Sequence, residues 1–272
     1  KIDRIDEVQA PITDRGFYFG DGVYDAAMVR NKKIFALDDH LDRFYNSLSL
    51  LRIEPPMERS ELAATLNDLV SRLDSDAPHM LYWQSTRAAA HRKHAFPAGA
   101  KATLMAFAEA CPLDRHDHPY KLITVEDTRF LHCNIKTLNL IPNCMAMQRA
   151  VEADCDEVVF HRGDRVTEGA HSSLAIIRDG VFCTPPADEL ILPSITRKHF
   201  LELCSRLGIP SRIAPFTVDE LLTADEIMIL STGSHCIAVC EVDGRPVGGK
   251  APALLSRMQQ AYRQEFLEGP EK

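Results

Sequence analysis

Lys136 stands in Cys133-Asn134-Ile135-Lys136-Thr137-Leu138-Asn139-Leu140, a stretch of apolar or uncharged residues in which a cation is out of place. A lysine stripped of water has a lowered pKa, and its amine can then form a Schiff base with a carbonyl. The plainer alternative is a lysine on a strand edge whose stem lies on apolar surface, and position alone favours it. Glu168, in Val166-Thr167-Glu168-Gly169, follows the turn Arg162-Gly163-Asp164 and reads equally as a site carboxylate or an exposed loop residue. Three features suit an anion. Pro193-Ser194-Ile195-Thr196 opens a helix, whose first amides lack partners and carry the positive end of the dipole. Ser231-Thr232-Gly233 follows a strand and offers hydroxyls and open backbone, and Arg43 offers a bidentate charged contact. Each feature alone is better explained by capping or solvation. Together they suggest a phosphorylated cofactor without naming it.

These residues must be positioned by two lobes. At about 150 residues per domain, a chain of 272 residues predicts two, and its 45% hydrophobic content supports a large core. Leu41, Phe44, Leu48 and Leu51 fall at helical spacing after Asp38, a suitable N-cap; Leu62, Leu66, Leu69, Val70 and Leu73 mark a second helix. Strands are predicted at Val23 to Val29, Ile34 to Leu37, Met80 to Thr86 and Ala102 to Ala108, which makes the first lobe, residues 1–112, α+β. Residues 113–119 have two nearby prolines and no periodicity, and read as a linker. Residues 120–272 form the second lobe, with strands at Lys121 to Glu126, Glu157 to His161, Leu174 to Arg178, Val181 to Thr184 and Ile227 to Leu230. Helices are predicted through Asn143 to Ala153, over Phe200 to Leu207 with a stop at Gly208, and from Leu254 to Phe266. Arg178-Asp179-Gly180 and Asp243-Gly244 are hairpin turns.

The net charge of -8 is intermingled in sign, which argues against nucleic acid or anionic membrane as a partner. No segment has the apolar length of a membrane span or a signal peptide, so a cytoplasmic location is expected. The eight cysteines are scattered, and the eleven histidines lack a matching ligand cluster, so neither a disulfide framework nor a metal site is expected.

Thr13-Asp14-Arg15-Gly16-Phe17-Tyr18-Phe19-Gly20-Asp21-Gly22-Val23-Tyr24-Asp25 resembles the N-terminal signature of the fold-type IV pyridoxal-phosphate enzymes. Asn134 to Asn139 and Val166 to Gly169 resemble that family's cofactor-lysine and pyridine-nitrogen segments, in the same order. The resemblance extends to His40-Leu41-Asp42-Arg43, Leu192-Pro193-Ser194-Ile195-Thr196-Arg197 and the Ser231-Thr232 loop, and so spans the chain. By this resemblance the chain starts slightly inside the family's first strand. Within the family, Ser85-Thr86-Arg87 followed by Arg92-Lys93-His94-Ala95-Phe96-Pro97 is similar to the D-amino acid aminotransferases.

The resemblance implies a small N-terminal α+β domain, a larger C-terminal mixed α/β barrel-like domain, pyridoxal 5'-phosphate between them, and a homodimer with active sites at its interface. It implies that Lys136 binds the cofactor and moves the proton, and that Glu168 pairs with the pyridine nitrogen. Arg43, Ile195, Thr196, Ser231 and Thr232 would hold the phosphate, and Leu192 would pack on the ring. Tyr24, with Arg92 and His94 reaching from the partner subunit, would trap the substrate carboxylate; Arg15 matches an arginine near the cofactor. His171 and Ser172 fall where relatives carry serines, and Gly233 and His235 where they carry further hydroxyls, so these departures bear on substrate preference. The implied reaction is ping-pong transfer from D-alanine or D-glutamate to 2-oxoglutarate or pyruvate. The alternatives are a branched-chain L-amino acid or (R)-amine aminotransferase, an aminodeoxychorismate lyase, or a catalytically silent binding protein on the same fold.

Overall fold

The computed structural model describes residues 4, 7–112 and 118–268, in two compact units. Most of the expected linker, at 113–117, lies outside the described residues. The first unit contains α1 (Arg15–Phe19), β1 (Gly22–Arg30), β2 (Lys33–Ile34), α2 (Leu37–Leu50), α3 (Arg59–Ser71), β3 (His79–Thr86) and β4 (Thr103–Ala110). Its antiparallel sheet runs β2-β1-β3-β4. Alternation along β1 sends Val23, Asp25, Ala27 and Val29 to one face. There they meet Leu41, Phe44 and Leu48 of α2, Leu62, Leu66 and Val70 of α3, and Leu81 and Trp83 of β3. Tyr24, Tyr82 and Phe107 stack across β1, β3 and β4, with ring centroids 5.4 and 5.0 Å apart.

Two local expectations are corrected here. The strand expected at Ile34 to Leu37 is only Lys33–Ile34, because Ala36 turns left-handed at φ 49° and α2 begins at Leu37. Ala36, rather than Asp38, is therefore the N-cap; Asp38 sits in the first turn, where its charge still complements the dipole. A larger difference concerns the lysine segment. Ile135–Asn139 groups with the first unit instead of with the surrounding residues of 120–272. The amide of Tyr24 donates to the Lys136 carbonyl, that of Leu138 to Gly22, and that of Lys136 to Ser47 Oγ.

The second unit contains β5 (Tyr120–Glu126), α4 (Ile141–Glu152), β6 (Glu157–Arg162), β7 (Arg165–Val166), β8 (Ser173–Arg178), β9 (Val181–Thr184), α5 (Ile195–Leu207), β10 (Ser211–Ile213), α6 (Val218–Thr223), β11 (Glu226–Ser231), β12 (His235–Val242), β13 (Arg245–Pro246) and α7 (Pro252–Glu268). Its mixed sheet runs β10-β9-β8-β11-β12-β5-β6-β7, with β13 paired to β12. A bridge from Arg165 to Thr217, just past β10, draws the two ends together and makes the sheet barrel-like. Asp179 and Gly180 both take positive φ, as a tight hairpin between β8 and β9 requires. Among the described residues no helix is long and apolar enough to cross a membrane.

The apolar face of the first unit buries one charged cluster. The Asp25 carboxylate accepts Arg43 Nε at 2.9 Å, Arg43 Nη2 at 2.7 Å and pairs with His40 Nδ1 at 2.8 Å. Burial pushes the Asp25 pKa up, but Arg43 and His40 outweigh it and hold the carboxyl well below the usual range. Burial also depresses the His40 pKa, against the pull of Asp25. Asp25→Asn removes the carboxylate charge that Arg43 and His40 bond and is expected to cost about 3–5 kcal/mol at neutral pH in denaturant titrations. Because the folded pKa is depressed, Asp25's contribution is present above its unfolded pKa of about 3.9 and is lost as pH falls toward the folded value. The gap between wild type and variant should therefore narrow in acid.

Candidate active site

The described geometry brings together two groups of the expected residues, one in each unit. In the first, Lys136 is half-buried and its Nζ lies 4.3 Å from the centre of the Tyr24 ring. Both positions follow from β1, since the Tyr24 amide is bonded to the Lys136 carbonyl at 3.0 Å. Gly22 is required for this approach: a Cβ there would come within 2.7 Å of the Ser85 carbonyl and 2.8 Å of Leu138. Nε and Nη2 of Arg43 both donate to Asp25, which fixes the guanidinium. Arg92 and His94 are exposed in irregular chain, flanking Phe19, at 5.2 Å from guanidinium carbon to ring centre and 5.3 Å between ring centres.

In the second unit Glu168 is buried. Its Oε1 accepts Arg129 Nη1 at 2.7 Å and its Oε2 accepts the Leu192 amide at 3.1 Å. That second bond ties the loop after β7 to the segment entering α5. Ser194 caps α5, accepting the Arg197 amide, and the first turn contains no acidic residue to compete with an anion. Ile195 and Thr196 are buried in that turn, and the Thr196 hydroxyl shares a hydrogen bond with Tyr262. Pairing of Leu230 with Ser173 sets the Ser231–Ser234 turn at the same sheet end as the loop carrying Glu168. In that turn the Ser231 and Ser234 hydroxyls are 2.6 Å apart and Ser231 Oγ accepts the Ser234 amide. His235 closes the turn at φ 59°; burial, aided by Arg263, lowers its pKa to about 4.

The departures at Ala170-His171-Ser172 are built around a buried glutamate. Glu157 accepts the Ala170 amide and Ser172 Oγ, and pairs with His171 Nδ1 at 2.9 Å. Burial raises the Glu157 pKa, and His171 and the other donors bring it below its ordinary value. Gly169 has no room for a side chain, since a Cβ would lie 2.2 Å from Ser172 Oγ.

Arg129 escaped the sequence reading. It also donates from Nε and Nη2 to Asp127 and from Nη2 to the Leu190 carbonyl, while Arg162 adds a second cation to Asp127. Burial lowers the Arg129 pKa, but its carboxylate partners raise it overall and keep it charged. The available signal was the pair Asp127-x-Arg129 between a strand and the lysine segment.

The fold is shared with solved aminotransferases. The Escherichia coli branched-chain amino acid aminotransferase matches with a TM-score of 0.91 at 20% identity, covering 100% of this chain and 94% of that one. A PLP-bound hypothetical aminotransferase from Mycobacterium tuberculosis matches at 0.84 and 18% identity, covering 96% and 95%. Residues 22–242 match the family model for class IV aminotransferases, so the chain belongs to that family of fold-type IV, pyridoxal-phosphate-dependent enzymes. Among curated relatives, a D-alanine aminotransferase of Bacillus licheniformis is 37% identical over 263 residues, 96% of this chain and 93% of its own length. The residues fit the cofactor: α5 presents an acid-free N-terminus beside buried hydroxyls, and Glu168 is a fixed carboxylate.

Arg129→Leu is expected to strand the Glu168 carboxylate, lower stability by about 3–5 kcal/mol and weaken cofactor affinity. Thermal melts and fluorescence titration with pyridoxal phosphate check this, with Arg129→Lys restoring part of both.

Proposed function

We propose that the protein transfers the amino group of a D-amino acid, such as D-alanine or D-glutamate, to a 2-oxo acid, such as 2-oxoglutarate or pyruvate, by a ping-pong mechanism. The observation that carries the D-specificity is the Arg92-Lys93-His94 segment, in which Arg92 and His94 are held exposed around Phe19. Near-full-length similarity to D-alanine aminotransferases supports it. Bound pyridoxal phosphate supplies an electron sink, its protonated pyridine ring, for the pair left when the substrate Cα–H bond breaks. Lys136 Nζ would hold the cofactor covalently and, when free, would serve as the base that takes the proton from the substrate Cα. Glu168 keeps the proton on the pyridine nitrogen by charge pairing. Ile195 and Thr196 would donate amides to the phosphate, Ser231 and Thr232 would add hydroxyls, and Arg43 would add charge. Leu192 packs on the ring. Tyr24, with Arg92 and His94 of a second copy in a homodimer, binds the substrate carboxylate, and His171 and Ser172 tune side-chain preference. The eight free thiols fit a cytoplasmic enzyme.

Transfer from branched-chain L-amino acids is the second reading, favoured by fold neighbours that are branched-chain aminotransferases. Lys136→Ala should lose about 10²- to 10⁴-fold or more in turnover with the fold intact. Arg92→Ala should lower kcat/KM for D-alanine about 10- to 100-fold, the worth of a charged hydrogen bond, with cofactor affinity unchanged. Both are read from coupled assays with 2-oxoglutarate. Unimpaired transamination by the lysine variant contradicts its assignment.

A further inference from the structure

The segment from His91 to Pro97 has no regular secondary structure, so its carbonyls have no ladder and must be satisfied from elsewhere. Arg15, the first residue of α1, does this while almost fully buried. Its Nη1 donates to the Lys93 carbonyl at 2.5 Å and, more weakly, to Ala95 at 3.5 Å; Nη2 reaches the His94 carbonyl at 3.4 Å. Nε is fixed by Asp21 at 2.7 Å. Asp21 in turn accepts Arg87 Nε, and Arg87 donates its remaining nitrogens to the Arg52 and Leu51 carbonyls at the end of α2. The Arg87 guanidinium covers Phe96 at 3.4 Å. Arg15 also lies 4.8 Å from the Phe19 ring, which Arg92 and His94 flank.

We infer that Arg15 is a positioning residue: through the Lys93, His94 and Ala95 carbonyls it sets the backbone from which Arg92 and His94 meet the substrate carboxylate. This rests on the reading of Arg92 and His94 as that trap. The planar fork is what the job needs. One guanidinium spans consecutive carbonyls while its remaining edge is neutralised by Asp21, whereas an ammonium has neither the reach nor the fixed angles. Arg15 acts by lowering the freedom of the loop, so its loss falls on substrate affinity before turnover.

The test compares Arg15→Lys, Arg92→Ala and the double variant as holoenzymes. Readouts are KM and kcat for D-alanine, pyridoxal phosphate affinity, and amide hydrogen exchange over residues 88–97. Arg15→Lys should raise KM about 10- to 100-fold, leave kcat and cofactor affinity within about two-fold, and speed exchange at residues 93–96. It should add little to the KM of Arg92→Ala. Asp21→Asn, which releases Arg15 Nε, should shift KM and exchange in the same direction and serves if Arg15→Lys does not fold. Unchanged KM and exchange in Arg15→Lys beside an impaired Arg92→Ala overturns the brace alone, as do fully additive effects. An Arg92→Ala enzyme with unchanged KM overturns the trap reading and the inference with it.

Discussion

Glu168 is a carboxylate taken out of water at a point where secondary structure offers it nothing, and the second unit is arranged to compensate for that. Arg129 supplies the counter-charge and the Leu192 amide supplies a second donor. Arg129 is itself held by Asp127, which Arg162 and Thr167 also contact. An isolated buried carboxylate would cost several kcal/mol, so this chain of partners is a condition for having the carboxylate there at all. It also joins the loop after β7 to the entry of α5, so the carboxylate proposed to pair with the pyridine nitrogen and the helix proposed for phosphate are directly hydrogen-bonded. The same bond network therefore serves stability and position.

That device recurs in both units. Asp25 grips His40 and Arg43, Glu157 grips His171 and Ser172, and Asp21 grips Arg15 and Arg87. Asp25, His40, Arg43, Glu157 and Arg15 sit on strands or helices, whereas Asp21, Arg87, His171 and Ser172 lie outside them and have no ladder of backbone bonds to orient them. In both settings the charged partners bond at defined angles, and arginine recurs because its fork can bind a carboxylate and a carbonyl together. Such pairs are poor evidence of net stability, since apolar residues would often do as well.

Periodic patterns in the sequence mark nearly every long element, because β1, β3, α2 and α5 each bury one face and their apolar residues must recur at two or at three to four positions. What escaped lacks that constraint. Helix α1 is five residues long, β10 is three, and α6 is six, too short for a period to register. Ala36 at the start of α2 is invisible as a cap because it caps through backbone conformation, with no side-chain bond. Lys136 was legible as an out-of-place cation, but its grouping with the first unit was not, since the backbone bonds to Gly22 and Tyr24 cross more than a hundred residues. Arg129 was missed because a nearby Asp127 is equally compatible with a solvated arginine, and its second carboxylate, Glu168, lies 39 residues away.

The most direct measurement is a half-reaction. Purified yellow holoenzyme is titrated with D-alanine and, separately, with L-leucine, in the absence of any 2-oxo acid, while the visible band of the lysine-bound cofactor is followed as it converts to the pyridoxamine form. Conversion by D-alanine with L-leucine inert is the expected result. Conversion by L-leucine alone would leave the fold and the Lys136 assignment standing but contradict the D-amino acid specificity attributed to Arg92 and His94.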